Sequence, residues 1–222
     1  GGIEKIEGFV VSYNDGPNFY IQYKDVFIRQ IYKFESSRPL PLIIDGGSNI
    51  GLSLLYFKTI YPFSKIIAFE PDPEVTSLLI NNISNNKLKN ISVYNIALGK
   101  ENQNSYFKQD GKAGGHLDIS KENIEVKMKV LSDYINEPID FLKLNIEGQE
   151  YEVIREIHKN KKLKNIDQMV IEYHGFPNLD QTLGEILKIL EASNFRYLIH
   201  DFDHETCGIT KPPFRLKNDD KF

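Results

Sequence analysis

From Leu42 onward, short apolar runs and helix-patterned stretches take turns, and this alternation limits the fold more than any other feature. "LIID" reads as a short buried strand, and Ser48 to Tyr61, apolar almost all round, as a buried helix ending before Pro62. "KIIAFE" is the next strand; Pro73 to Asn85 follows with Val75, Leu78, Leu79 and Ile83 on one helical stripe. "ISVYNIAL" reads as a third strand, Glu125 to Val130 as an edge or hairpin strand, "FLKLNI" as a core strand before a helix from about Glu150, and "QMVIEY" as a further strand. Leu183, Ile186, Leu187 and Leu190 mark a last helix, and "RYLIHDF" and "PFRLKN" are expected to close the sheet, pairing antiparallel. Such alternation predicts a three-layer α/β domain: a mostly parallel seven-stranded sheet, an antiparallel C-terminal strand, and helices on both faces. Ligands of such sheets bind at the carboxyl ends of the strands, where strand order reverses.

Upstream, Phe9 to Phe34 alternates aromatic and polar residues and reads as short strands or a hairpin around "NDGPN". Residues 1–38 are therefore expected to form an extension packed on a core domain of residues 39–222. The 222 residues suit one sizeable core. Gly1-Gly2 in place of an initiating methionine reads as a cloning remnant, with native residues expected to be missing upstream. No apolar run approaches the length needed to span a bilayer, and no signal peptide is legible. Cys207 is the single cysteine, so neither an internal disulfide nor a thiolate metal cage is available, and a reducing, cytoplasmic setting is expected. A net charge of −4 argues against broad nucleic-acid binding. The one basic cluster, "KNKKLKN", reads as a solvated helix end.

"LIIDGGSNIG" places Asp45 at the end of the first core strand and glycines at Gly46, Gly47 and Gly51. Bare backbone there lets a ligand come close; a simple tight turn would use the same residues. The spacing G-G-x-x-x-G departs from the dinucleotide fingerprint G-x-G-x-x-G, and Asp45 would repel a pyrophosphate. An acid beside an amine, a sulfonium and a ribose suits S-adenosylmethionine better. The second strand ends on Glu70, where a carboxylate accepts hydrogen bonds from both ribose hydroxyls, as it also would in nicotinamide enzymes. Pro71 and Pro73 fix the turn around Asp72, and Pro73 suits the start of a helix.

The motifs "IIDGGSNIG", "AFEPDP", "LLINNISNN", "NIAL", "LKLNIEGQEYEVI" and "VIEYHG", from about Leu42 to Tyr173, together resemble the FkbM-type family of S-adenosylmethionine-dependent (class I) methyltransferases. The resemblance implies a Rossmann-like fold with a terminal antiparallel strand, and methyl transfer, typically to a hydroxyl of a sugar or natural product. S-adenosyl-L-homocysteine would be the product. It assigns the cofactor loop to Asp45, Gly46, Gly47, Ser48, Asn49 and Gly51, the ribose to Glu70 with Pro71 and Asp72 beside it, and the adenine to the segment Asn95 to Leu98, including Ala97 and Leu98. The family's usual Asp between the Lys and the Glu-Gly is Asn145 here. An amide hydrogen-bonds but does not take a proton near neutral pH, and it is a weak metal ligand.

Lys143 and Asn145 interrupt an otherwise apolar central strand near the ligand edge, and Glu147 follows at its exit; a buried polar network is the alternative to ligand contact. Glu172 and His174, two residues apart, share a face if the strand continues, and His174 is a candidate general base beside a carboxylate. His116, in "GKAGGHLD", sits in a glycine-rich stretch that reads as a loop over the site. "HDFDHETC" tempts a metal reading, but a strand would point its His and Asp residues to opposite faces, so no metal is expected. The expected function is O-methylation of a small-molecule hydroxyl. N-methylation of a peptide or small-molecule amide or amine is the enzymatic alternative, and cofactor binding without catalysis the third. No membrane partner is expected.

Overall fold

The computed structural model describes residues 1–109, 115–118, 124–176 and 180–200. The chain opens on an antiparallel hairpin, β1 (Gly2–Ile6) and β2 (Phe9–Tyr13). Its two-residue turn, Glu7-Gly8, has positive φ at both positions, which matches the twist of a tight hairpin. "NDGPN" is not a hairpin turn. Asp15 accepts a hydrogen bond from the Asn18 N–H and Pro17 lies in the first turn, so the same residues start a helix, α1 (Gly16–Tyr23). A π-helical turn over Lys24–Ile28 continues it.

The main body follows as β3 (Leu42–Gly46), α2 (Leu52–Ile60), β4 (Lys65–Phe69), α3 (Pro73–Asn85) and β5 (Ile91–Tyr94). The helix expected from Ser48 begins at Leu52, because Gly51 holds a left-handed conformation at its N-cap. "ISVYNIAL" is two strands. β5 stays in the central sheet, whereas β6 (Ala97–Leu98) joins β7 (Gln103–Gln109), β8 (Gly115–Asp118) and β9 (Ile124–Lys129) in a second sheet of order β6-β9-β7-β8. His116 therefore falls on a strand, while residues 110–114 of its glycine-rich stretch lie outside the described residues. The chain then returns through β10 (Ile139–Leu144), α4 (Glu150–Lys159), β11 (Ile166–Ile171) and α5 (Leu183–Ala192).

The central sheet has the order β11-β10-β3-β4-β5, with every pairing parallel. It has five strands among the described residues, not the seven expected. Residues 196–200, expected within a closing strand, carry none, and "PFRLKN", Cys207 and most of "HDFDHETC" lie outside the described residues. β3 and β10 are buried along their whole length. On one face Ile43, Ile66 and Phe141 pack with Leu54 and Phe57 of α2 and with Tyr32 and Phe34 from the N-terminal segment. On the other, Leu42, Ile44, Leu142 and Leu144 meet Val153, Ile154 and Ile157 of α4 and Ile186 and Leu190 of α5. Strand order runs outward in both directions from β3, so a crevice opens at the carboxyl ends of β3 and β10.

Candidate active site

A cavity of about 240 Å³ occupies that crevice. Its floor is the loop after β3. The N–H groups of Gly47 and Ser48 both donate to the Phe69 carbonyl at 2.9 Å, which clamps the loop to the end of β4. Gly47 has φ +78°, and a Cβ there would lie 1.8 Å from the Asn145 carbonyl oxygen. Only glycine lets the loop lie this close to the exit of β10. Ser48 and Asn49 also line the cavity, whereas Asp45, Gly46 and Gly51 do not.

Asp45 is fully buried beneath the loop. Its carboxylate accepts from the Ser53 hydroxyl, and Lys143 Nζ stands 3.1 Å away. Lys143 also donates to the Gly47 carbonyl at 2.6 Å. Register explains the pairing, since Lys143 and Asp45 are direct neighbours on β10 and β3. The two polar residues in the apolar strands thus neutralise one another, and Lys143 ties the loop backbone down while still lining the cavity.

Glu70 stands at the end of β4 and is only 6% exposed. One carboxylate oxygen accepts the Asn49 N–H at 2.9 Å and the other the Asp72 N–H at 3.0 Å. Burial pushes its pKa up to about 7, although both backbone hydrogen bonds and Lys143 pull the other way. Asp72 caps α3 by accepting from the N–H groups of Glu74 and Val75. The Asn95 amide donates to the carbonyls of Glu70 and Pro71 at 2.9 Å and holds the turn in place. Pro71, Asp72, Ala97 and Leu98 line this end of the cavity together with Phe107.

The opposite wall carries Asn145, Glu147, Gln149 and Glu172. Both oxygens of Glu172 are held. Asn145 Nδ2 donates to one at 3.0 Å, and the Tyr32 hydroxyl donates to the other. Glu172 and His174 lie just past β11, and Glu172 does not bond the imidazole. His174 stands outside the cavity lining, its Nδ1 3.1 Å from a Glu150 carboxylate oxygen and its Nε2 3.6 Å from Glu147. Burial lowers the His174 pKa, but the carboxylates of Glu150, Glu147 and Glu172 outweigh it and the net direction is upward.

Two contributors escaped the sequence reading. Glu150, 1% exposed, accepts the N–H groups of Ile146 and Gly148 and so shapes the turn that carries Glu147. The second acid of "EGQE" was its signal. The N-terminal segment supplies Asn18, Gln22, Asp25 and Tyr32 to the cavity, from positions so distant in sequence that no local pattern links them to it.

These residues fit S-adenosylmethionine. Each oxygen of Glu70 has one backbone donor and keeps lone pairs for ribose hydroxyls, whose donation would favour the ionised form that burial disfavours. The Gly47–Asn49 backbone admits a close ligand. Among the described residues no group of three or more His, Cys, Asp or Glu side chains is placed to hold a metal ion.

Comparison with known proteins agrees. Methyltransferase 1 of Beauveria bassiana is 26% identical over 77% of this chain and 81% of its own length. Methyltransferase sdnD of Sordaria araneosa is 28% identical over 60% of this chain and 66% of its own. The crystal structure of the FkbM methyltransferase from Methylobacillus flagellatus superposes with a TM-score of 0.55 at 19% identity, over 75% of this chain. That similarity supports the fold, and this chain spans 41% of that longer one. The methyltransferase FkbM domain profile matches residues 45–197. The chain belongs to the FkbM methyltransferase family, a family of S-adenosylmethionine-dependent enzymes.

Proposed function

We propose that the crevice binds S-adenosylmethionine at its β4 end and methylates a hydroxyl of a sugar or natural-product small molecule at its β10–β11 end. The observation that carries this reading is that Glu70 and Glu172 face one cavity from opposite sides of the switch point. Glu70 would take the ribose hydroxyls, with Pro71 and Asp72 shaping the turn. The Gly47–Asn49 backbone would lie along the cofactor, and Ala97 and Leu98 would flank the base. Asp45, Gly46 and Gly51 support the loop from beneath, and Lys143 fixes the loop through the Gly47 carbonyl. The cofactor supplies an electrophilic methyl on a sulfonium. Glu172 would accept the acceptor's proton, with Asn145 orienting it and Glu147 beside it, and alignment supplies much of the rate. His174 would act by holding the Glu147 turn, since it stands outside the cavity lining with its ring nitrogens directed to Glu150 and Glu147. We also assign residues 1–38 as an extension of the 39–222 domain that completes the cavity.

Amine methylation is the second reading, favoured by the two carboxylates Glu147 and Glu172 on the acceptor wall. Calorimetry with S-adenosylmethionine, S-adenosylhomocysteine and NAD, followed by tritiated-methyl transfer to matched alcohols and amines, tests both. Binding of the two sulfur nucleosides, no binding of NAD, and label on the alcohols is the expected outcome. Tighter binding of NAD than of S-adenosylhomocysteine refutes the cofactor assignment. Label on amines alone moves the reaction to nitrogen.

A further inference from the structure

Tyr32 lies outside residues 45–197, the segment the family profile matches, yet its side chain is part of the cavity. The ring is 4% exposed and packs 6.3 Å from Phe57. Its hydroxyl donates to Glu172, 140 positions away in sequence. Lys143 Nζ stands 5.4 Å from the ring centroid, within cation–π range.

We propose that Tyr32 is a positioning residue that locks the Glu172 carboxylate toward the acceptor, so that the N-terminal segment completes the catalytic side of the cleft. Two features carry this beyond packing. First, Glu172 lies just past the end of β11, where its backbone N–H still donates to the Leu144 carbonyl at 2.8 Å and holds the main chain, so the orientation of its carboxylate rests on the two side-chain donors, Asn145 and Tyr32. With one bond to each oxygen, the carboxylate cannot rotate without breaking both, and its remaining lone pairs stay available to the cavity. Second, Glu172 is on the β11 side of the switch point and Glu70 on the β4 side, so the Tyr32 bond acts on the half of the cleft away from the ribose carboxylate. Phenol suits the task. The Tyr32 pKa is raised well above its ordinary value, by burial first and then by Glu172, so the group stays a donor throughout the working range.

This inference rests on the proposed role of Glu172, and its test separates the two. Tyr32→Phe keeps the ring against Phe57 and removes only the hydroxyl. In the full chain saturated with S-adenosylhomocysteine, the wild type should show a downfield, slowly exchanging hydroxyl proton by NMR that is absent from Tyr32→Phe and displaced in Glu172→Gln. Tritiated-methyl transfer to methyl glycosides should fall about 10- to 100-fold in kcat, up to the scale for misplacing a reacting group by about an ångström. Acceptor KM and S-adenosylhomocysteine affinity should stay within about twofold. A wild type without the resonance, a Tyr32→Phe enzyme with normal kcat, or one losing cofactor affinity in parallel would each overturn the proposal. A wild type with the resonance but no transfer to any glycoside refutes the carbohydrate reading instead, and the resonance and affinity data then decide the pairing.

Discussion

Glu70 sets the charge at the β4 end of the cavity. Its pKa near 7 lies above the ordinary carboxyl value, so its contribution to folding is present below about pH 4.5 and is lost as pH rises through about 7. In the proposed complex, ligand binding has the opposite sign, because ribose hydroxyls would donate to the ionised form. Affinity for S-adenosylhomocysteine should therefore strengthen between pH 6 and 8 and then level. Glu70→Gln should weaken binding by about 1.5–3 kcal/mol, as expected for a lost charged hydrogen-bond partner, and should flatten the pH dependence. Calorimetry across that range decides it; a wild-type affinity independent of pH would place the ribose on another group. Sequence showed that an acid stands here. It did not show that the acid is buried on two backbone donors, because both donors come from how the β3 loop and the α3 cap fold around it.

Helix α3 shows how an element can be legible in its limits and illegible in its purpose. Its bounds, Pro73–Asn85, follow from the proline at its start and the apolar stripe behind it. "NNISNN" read as composition and helix-end chemistry, yet Asn82 and Asn86 serve β2. Asn82 exchanges hydrogen bonds with the N–H and carbonyl of Ser12, and Asn86 does so with those of Val10. Four helical residues rise about 6 Å and two strand residues about 6.7 Å, so the amides fall in step with the strand. Asn82 also donates to the Ile50 carbonyl in the loop after β3. Asn82→Ala should cost about 2–3 kcal/mol, since buried backbone groups lose their partners; urea unfolding measures it, and a loss below about 0.5 kcal/mol would show that water replaces the amide. The same limit explains the other misreadings. "NDGPN" has turn chemistry that also starts helices, and "ISVYNIAL" hides a change of sheet that only the chain's path reveals.

Across the whole molecule the N-terminal residues do two separable jobs. β2 lies along α3 and buries Val11 in a cluster with Leu52, Leu55 and Val75, whereas Val26, Tyr32 and Phe34 fill the core between α2 and the central sheet. Removing residues 1–13 should leave a folded, less stable protein that still binds S-adenosylhomocysteine. Removing residues 1–34 uncovers Phe57 and Phe141, which are otherwise almost fully buried, and should give insoluble chain. Circular dichroism and calorimetry of the two truncations check this, and a soluble, ligand-binding 35–222 protein would contradict it. The parallel sheet was legible because its strands carry continuous apolar runs, whereas the place of its switch point follows only from the strand order. The wall supplied by the N-terminus was not, because it is made by contacts between residues far apart in the chain.

The two asparagines of α3 have one more effect. A strand with one open side recruits whatever extended chain it meets, and β2 has β1 on its other side only. Side-chain amides occupy that open side along Val10 and Ser12, so a second molecule meets N–H and carbonyl groups there that are already engaged. On its β2 side the hairpin is shielded from templating assembly by a helix imitating its missing neighbour.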